Sequence, residues 1–230
     1  MAGLALAAPG TGAYGAARDR VRHYFDATAT RAWADLTSDA PVSRVRATVR
    51  AGRDRMRATM LGRLPADLTG LRVLDAGCGT GAKAAVLARR GADVVAVDVA
   101  PAILEVARRR LDPALGPRVR FVAGDMLDPA LGRFDAVVAQ DSMIYYREAD
   151  LLAGLRGLAA RAGQVVFTVA PRTPALMAMW WAGRAFPRAD RSPLMVPHAP
   201  ARLARALPGL ARVGRVARGF YVSECLELRP

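Results

Sequence analysis

Arg72-Val73-Leu74-Asp75-Ala76-Gly77-Cys78-Gly79-Thr80-Gly81 decides the fold of this chain of 230 residues. A short apolar run ends in an acid and breaks into three glycines at alternate positions. Ala82 to Arg90 then reads as a helix closed by Gly91. A strand, a glycine loop and a helix in that order let backbone N–H groups and a helix N-terminus approach a ligand closer than any Cβ would permit. The dinucleotide fingerprint of NAD enzymes spaces its last glycine one residue further on. A strand-to-helix turn that merely needs glycines is the bland alternative.

Outward from the loop, apolar strands alternate with helices. Strand Arg72–Asp75 and helix Ala82–Arg90 are followed by strand Asp93–Asp98, a helix Ala102–Leu111 opened by Pro101, and strand Val119–Gly124. Strand Phe134–Ala139, helix Glu148–Ala162 and strand Gln164–Ala170 come next. Helix Ala201–Leu207 and strand material over Arg215–Leu228, around Gly219, close the sheet with an antiparallel edge. Near-continuous apolar strands between helices predict a doubly wound, mostly parallel α/β sheet. Ligands of such sheets bind beyond the carboxyl ends of the strands.

The flanks read differently. Residues 1–17 are Ala/Gly-rich through Gly15, interrupted by Pro9-Gly10 and without a basic leader, which predicts a disordered tail rather than a signal peptide. Residues 18–64 read as a helical arm ahead of a main domain at 65–230. Within Arg18–Ala34, Val21, Tyr24, Phe25 and Trp33 share one side. They either pack on the main domain or form a lid whose Tyr24 reaches the reaction site. A helix from about Val42 to Leu64 carries an apolar stripe (Val45, Val49, Met56, Met60) and an arginine stripe (Arg46, Arg50, Arg53, Arg57). From Pro171 to His198 prolines, Met177, Met179, Trp180, Trp181 and Met195 mix with Arg172, Arg184, Arg188 and Arg191. That predicts a cap inserted over about 171–200, before the last strands. Large aromatics beside arginines suit a flat, apolar ligand with carboxylate edges.

The net charge is +14, and Lys83 is the one lysine, so the positive charge is almost wholly arginine. Such a surface favours anionic partners: carboxylates, phosphates, nucleic acid or an anionic membrane face. Two cysteines, Cys78 and Cys225, give no disulfide framework and suggest a reduced, cytoplasmic compartment. No His/Cys/Asp cluster has metal-ligand spacing, so no protein-bound metal is expected, and nothing has the setting of a Ser-His-Asp triad.

The chemistry-bearing residues stand at strand ends. Asp98 closes the second strand, where a carboxylate can accept both hydroxyls of a ribose. Asp125-Met126 closes the third and Gln140-Asp141-Ser142 the fourth. With Asp75 just ahead of Gly-x-Gly-x-Gly, the series resembles that of the S-adenosylmethionine (SAM) methyltransferases. The expected cofactor set is then Asp75, Gly77, Cys78, Gly79, Gly81, Asp98, Val99, Asp125, Met126 and Gln140. Nucleic-acid amino-methyltransferases carry an Asn/Asp-Pro-Pro-aromatic signature after the fourth strand. Its absence here argues against a nucleic-acid substrate despite the charge.

Segments outside the cofactor half carry a narrower likeness. Val21-Arg22-His23-Tyr24-Phe25-Asp26, the run from Ala40 to Asp54, Asp141-Ser142-Met143-Ile144-Tyr145-Tyr146, Phe167-Thr168-Val169-Ala170-Pro171, Phe186-Pro187-Arg188 and Gly219-Phe220-Tyr221-Val222-Ser223-Glu224 are the residues concerned. Through them the chain resembles the magnesium-protoporphyrin IX O-methyltransferases of bacteriochlorophyll synthesis, in their purple-bacterial form.

The resemblance implies a seven-stranded Rossmann-like methyltransferase sheet. It also implies methyl transfer from SAM to a propionate of Mg-protoporphyrin IX, with S-adenosylhomocysteine (SAH) as the other product. A partnership with the porphyrin-binding subunit of magnesium chelatase is part of that implication, as is peripheral contact with the cytoplasmic face of the photosynthetic membrane. In plant and cyanobacterial relatives a Tyr on the arm and a His after the fourth strand are implicated in catalysis. Tyr24 matches the first, and the second position is Tyr145 here, so a histidine role does not carry over. Tyr24 and Tyr145 are therefore the expected catalytic residues. Arg44, Arg46, Arg50, Arg53, Tyr146, Arg172, Trp180, Arg184 and Arg188 are the expected substrate contacts. Methylation of another small acid or a quinol, or a porphyrin-carrying role beside the chelatase, are the competing expectations.

Overall fold

A computed structural model describes residues 12–38, 41–174, 176–178, 181 and 193–230. Seven strands form one sheet in the order β3-β2-β1-β4-β5-β7-β6. They are β1 (Arg72–Ala76), β2 (Asp93–Asp98), β3 (Val119–Ala123), β4 (Phe134–Ala139), β5 (Ala162–Val169), β6 (Leu210–Arg218) and β7 (Tyr221–Leu228). The first five run parallel, and β7 pairs antiparallel with β5 and with β6. The expected doubly wound, mostly parallel sheet and its antiparallel edge are present.

Side chains of the parallel strands alternate between two apolar layers. Leu74, Val95, Val97, Val137, Val165 and Phe167 face one layer with Leu151, Leu155 and Leu158 of α6 (Glu148–Ala159). Val73, Val94, Ala96, Val138 and Val166 face the other. There they meet α3 (Arg44–Leu61) through Met56 and Met60, and α4 (Ala82–Arg89) through Ala84, Leu87 and Ala88. Both methionines are fully buried. Burial on both faces is why these strands lack the alternating pattern of an exposed sheet. Helix α5 (Pro101–Arg110) begins with its proline in the first helical turn, where the missing N–H costs nothing.

Several expected boundaries move. Residues 13–17 are not tail: α1 (Ala13–His23) begins at Ala13, and Tyr14 and Ala17 are buried against the sheet domain. A π-helical turn (Tyr24–Ala29) joins α1 to α2 (Thr30–Leu36), so the arm starts five residues earlier than its composition suggests. The helix expected over Val42–Leu64 is α3, capped by the Ser43 hydroxyl, and its Val45 is exposed rather than part of the buried stripe. α6 ends at Ala159, which frees Ala162 to start β5. β6 starts at Leu210, and the final helix α7 (Pro200–Ala206) precedes it. The middle of the expected cap, with Trp180, Arg184 and Arg188, lies outside the described residues. Its described ends dock on the sheet domain: Val196 N donates to Ile144 O and His198 N to Ala170 O, at 2.7 and 2.8 Å.

Candidate active site

The glycine loop sits at the carboxyl end of β1, and all three glycines have left-handed backbones, with φ of 72° at Gly77, 55° at Gly79 and 82° at Gly81. A Cβ added at Gly77 would fall 2.3 Å from the Ser142 Cβ. The Ser142 hydroxyl itself donates to Ala76 O at 2.8 Å, so the tip of β4 is packed directly against the loop. Gly77 N and Cys78 N both donate to Val97 O at 2.9 Å. The Asp98 carboxylate accepts from Gly79 N at 2.9 Å and Ala100 N at 3.1 Å. Burial in the cleft raises the Asp98 pKa, and these two N–H groups work against that rise.

Two members of the expected cofactor set do not reach the cleft. Asp75 is fully buried behind the loop, 3.1 Å from the ammonium of Lys83. Burial raises its pKa, opposed chiefly by that lysine, so Asp75 supports the loop electrostatically and offers no face to a ligand. At Gly81 an added Cβ would meet the Ala107 Cβ at 3.1 Å, so this glycine lets the start of α4 pack on α5. Lys83 itself lines the cleft, and nothing in the sequence pattern singles it out for that place.

The cleft encloses about 220 Å³ between the strand tips and the arm. Gly77, Cys78, Gly79, Asp98, Val99, Asp125, Met126 and Gln140 line its floor, and Tyr145 and Tyr146 its side. The roof is the arm: Tyr14, Arg18, Val21, Phe25, Trp33 and Thr37. Tyr14 donates its hydroxyl to Asp125 at 2.6 Å and lays its ring against Tyr146, centroid to centroid 4.7 Å. Arg18 pairs with the other oxygen of Asp125 at 3.2 Å. Burial pushes the Tyr14 phenol strongly upward, and the neighbouring Tyr146 and Asp125 push it further. Elsewhere the arm is tied by Ala102 N donating to Asp26 at 3.1 Å, Thr80 donating to Thr37 at 2.9 Å, and Arg110 donating to Ala34 O at 2.9 Å.

The two expected catalytic tyrosines pack on one apolar cluster, with Val21, Phe25, Ala29, Ala100 and Ile103. Only Tyr145 lines the cleft. Tyr24 turns its ring edge-on to Phe25, 5.2 Å between centroids, and is not part of the cleft lining. Tyr14, in the stretch that reads as tail, is the arm tyrosine that lines the cleft.

Among the expected substrate arginines, Arg50 and Arg53 line the cleft, whereas Arg44, Arg46 and Arg172 are exposed and away from it. α3 buries Gly52, Met56, Met60 and Leu61 along its later turns and exposes its first turn, which splits the arginine stripe. Arg50 spends donors on Leu36 O and Asp35 O at 3.0 and 2.8 Å, bracing the end of α2. Arg53 stacks over Trp33, 4.5 Å from the ring centroid, and pairs with Asp141. Asp141, two residues past the end of β4, has φ of 54° and is the one described non-glycine residue at positive φ. A side chain held there costs about 1–3 kcal/mol and persists only where its surroundings over-determine it. The surroundings here are Thr168, Tyr221, Ser223 and Arg53, all bonded to its carboxylate.

Known proteins resemble this chain in sequence and in fold. The family profile for the C-terminal part of magnesium-protoporphyrin IX methyltransferases matches residues 139–230, and a general methyltransferase-domain profile matches 73–162. Over 220 residues the chain is 60% identical to the magnesium-protoporphyrin O-methyltransferase of Rhodobacter capsulatus, covering 94% of this chain and 98% of that one. The magnesium protoporphyrin IX methyltransferase of Synechocystis PCC 6803 with bound SAH superimposes with a TM-score of 0.75 at 28% identity, over 90% of this chain and 96% of that one. Its SAM-bound structure gives 0.74 at 25% identity, over 94% and 98%. By this end-to-end likeness the chain belongs to the magnesium-protoporphyrin O-methyltransferase family.

Proposed function

We propose that this protein transfers the methyl group of SAM to one propionate carboxylate of Mg-protoporphyrin IX, giving the monomethyl ester and SAH. The observation that carries this reading is the 60% identity with the Rhodobacter capsulatus enzyme across nearly the whole of both chains. A protein sharing only the cofactor half with that enzyme would have no reason to match it through the arm, cap and closing strands.

The cleft fits the cofactor. Gly79 exposes backbone where a side chain would narrow the space beneath Trp33. Each oxygen of Asp98 accepts one backbone N–H and keeps a lone pair for a ribose hydroxyl. Asp125 at the end of β3 offers acceptors for an adenine amino group once its arm contacts rearrange. When bound, SAM supplies a methyl group on a positively charged sulfur.

The chain's own task is placement. A propionic acid with a pKa of about 4.3 is ionised at neutral pH, so no strong base is needed. Holding its oxygen in line with the methyl group is worth as much as roughly 7–11 kcal/mol. We assign that orientation to Tyr145, which lines the cleft and whose phenol donates one hydrogen bond. Tyr14, Val21, Phe25 and Trp33 in the roof shield the site from water, which strengthens each polar contact inside.

Beyond the reaction, we infer a cytoplasmic protein that touches the porphyrin-binding subunit of magnesium chelatase and the anionic face of the photosynthetic membrane. Supporting this are the +14 charge, the two free cysteines, and Phe220, 66% exposed at the tip of the β6–β7 hairpin. Incubation with SAM and Mg-protoporphyrin followed by product identification is the test: a monomethyl ester supports the reading, and recovery of unaltered porphyrin overturns it.

A further inference from the structure

We propose that Asp141 is a positioning residue that sets the Arg53 guanidinium as a clamp for the α-carboxylate of the cofactor's amino-acid end. This rests on the SAM reading of the cleft, and it moves Arg53 from the substrate side to the cofactor side. The sheet order gives the direction. Asp98 ends β2, Asp125 lies just past β3, and β1 and β4 follow across the sheet. A ligand with its adenosine on those two acids extends its far end over the glycine loop toward the tip of β4, where Asp141 stands.

Asp141 is held from every side. Its N–H donates to Thr168 Oγ1 at 2.8 Å, and the Thr168 hydroxyl donates back to its carboxylate at 3.1 Å. Tyr221 donates to both carboxylate oxygens at 3.1 and 3.2 Å, and Ser223 adds a longer contact at 3.4 Å. The same Tyr221 lies against Gly52, where an added Cβ would come within 2.7 Å of its Cδ1. That closeness brings α3 down onto the network. Gln140 then fixes the backbone of the next residue, donating to Arg53 O at 2.9 Å.

Arg53 is thereby pinned twice, at one guanidinium edge by Asp141 and over one face by Trp33, with its side chain 17% exposed on the cleft wall. Pinning removes rotamer freedom that a loose arginine would forfeit on binding. A guanidinium has five N–H donors, so pairing with Asp141 leaves others for a planar carboxylate. The hydroxyls of Thr168, Tyr221 and Ser223 donate to the same carboxylate, so the acid that pins Arg53 is itself held in place.

The test is calorimetric titration of the full-length protein and two variants with SAH and with its analogue lacking the α-carboxylate. Asp141→Asn keeps the shape and tolerates the left-handed backbone but removes the charge; Arg53→Gln removes the clamp and serves if the first variant does not fold. Wild-type protein should favour SAH over the analogue by roughly tenfold or more. Each folded variant should lose that preference, binding SAH roughly tenfold more weakly and the analogue within about twofold of wild type. Equal weakening of both ligands would mean a merely structural role and overturn the proposal. So would unchanged SAH affinity, including the case where the KM for Mg-protoporphyrin rises instead. These titrations need no turnover, so wild-type protein that fails to methylate the porphyrin counts against the proposed reaction and not against the clamp.

Discussion

The Tyr14 hydroxyl donates to the Asp125 carboxylate across 2.6 Å, tying the first helix to the end of the third strand. The arm therefore grips the acid that an adenine amino group would use, and Arg18 reinforces the grip from the same helix turn. Removing one charge-assisted bond of this kind costs about 1.5–3 kcal/mol where the partner is partly buried. Tyr14→Phe is expected to lower stability by that order in urea denaturation without SAH. It should also bind SAH more tightly than wild type, because the competing donor is gone.

Gly77→Ala places a methyl group where Ser142 already sits, on a backbone with φ of 72°. The left-handed strain costs about 1–2 kcal/mol, and overpacking adds about 1–3 kcal/mol. SAH affinity and thermal stability should both fall. Combining it with Ser142→Gly should recover part of the stability, since that change relieves the overlap and leaves the backbone strain.

Tyr145 lines the cleft, whereas Tyr24 packs on the same cluster without lining it. Tyr145→Phe is expected to lower kcat for porphyrin methylation about tenfold, the loss of one orienting hydrogen bond, with SAH affinity unmoved. Tyr24→Phe should keep the greater share of turnover. Steady-state kinetics on the two variants side by side distinguishes these roles.

How much of this was legible beforehand follows from what kind of signal each part carries. Strand tips and glycines announce themselves locally, so Gly77, Gly79, Asp98 and Asp125 are readable from spacing. Depth is not local: Asp75 looks like a ligand in the chain, yet it is a buried partner of Lys83. The arm was harder still. Ala/Gly-rich sequence around Tyr14 has no apolar periodicity of its own, and its helix exists because Tyr14 and Ala17 bury against the sheet domain. Arg44 to Arg57 form one stripe on paper. Only the crossing of α3 over the sheet decides that Arg53 enters the cleft and Arg44 and Arg46 do not. Tyr221, 80 residues beyond Asp141, is bonded to it only because β7 returns beside β5.

His198 provides a pH signature. It is buried with Nε2 3.1 Å from Tyr146 O, and burial lowers its pKa below the ordinary 6.5, against the opposing pull of that carbonyl and Glu148. Below pH 6.5 the unfolded chain binds a proton that the folded chain refuses, so stability falls as pH drops from there toward the folded-state value. The urea midpoint should decline over that window, and His198→Gln should flatten the decline. Glu227 acts in a separate, more acidic window: Arg229, Arg63 and Gln164 outweigh its burial and hold it below 4.5, so its contribution is lost as pH falls through that range.

Methyl transfer itself is the central claim, and a competition assay tests it most directly. Wild-type protein is given methyl-labelled SAM with Mg-protoporphyrin IX, the metal-free porphyrin and a quinol in one mixture, and the products are separated. The label should be recovered in the Mg-protoporphyrin monomethyl ester. Label in the quinol with none in either porphyrin would contradict the account.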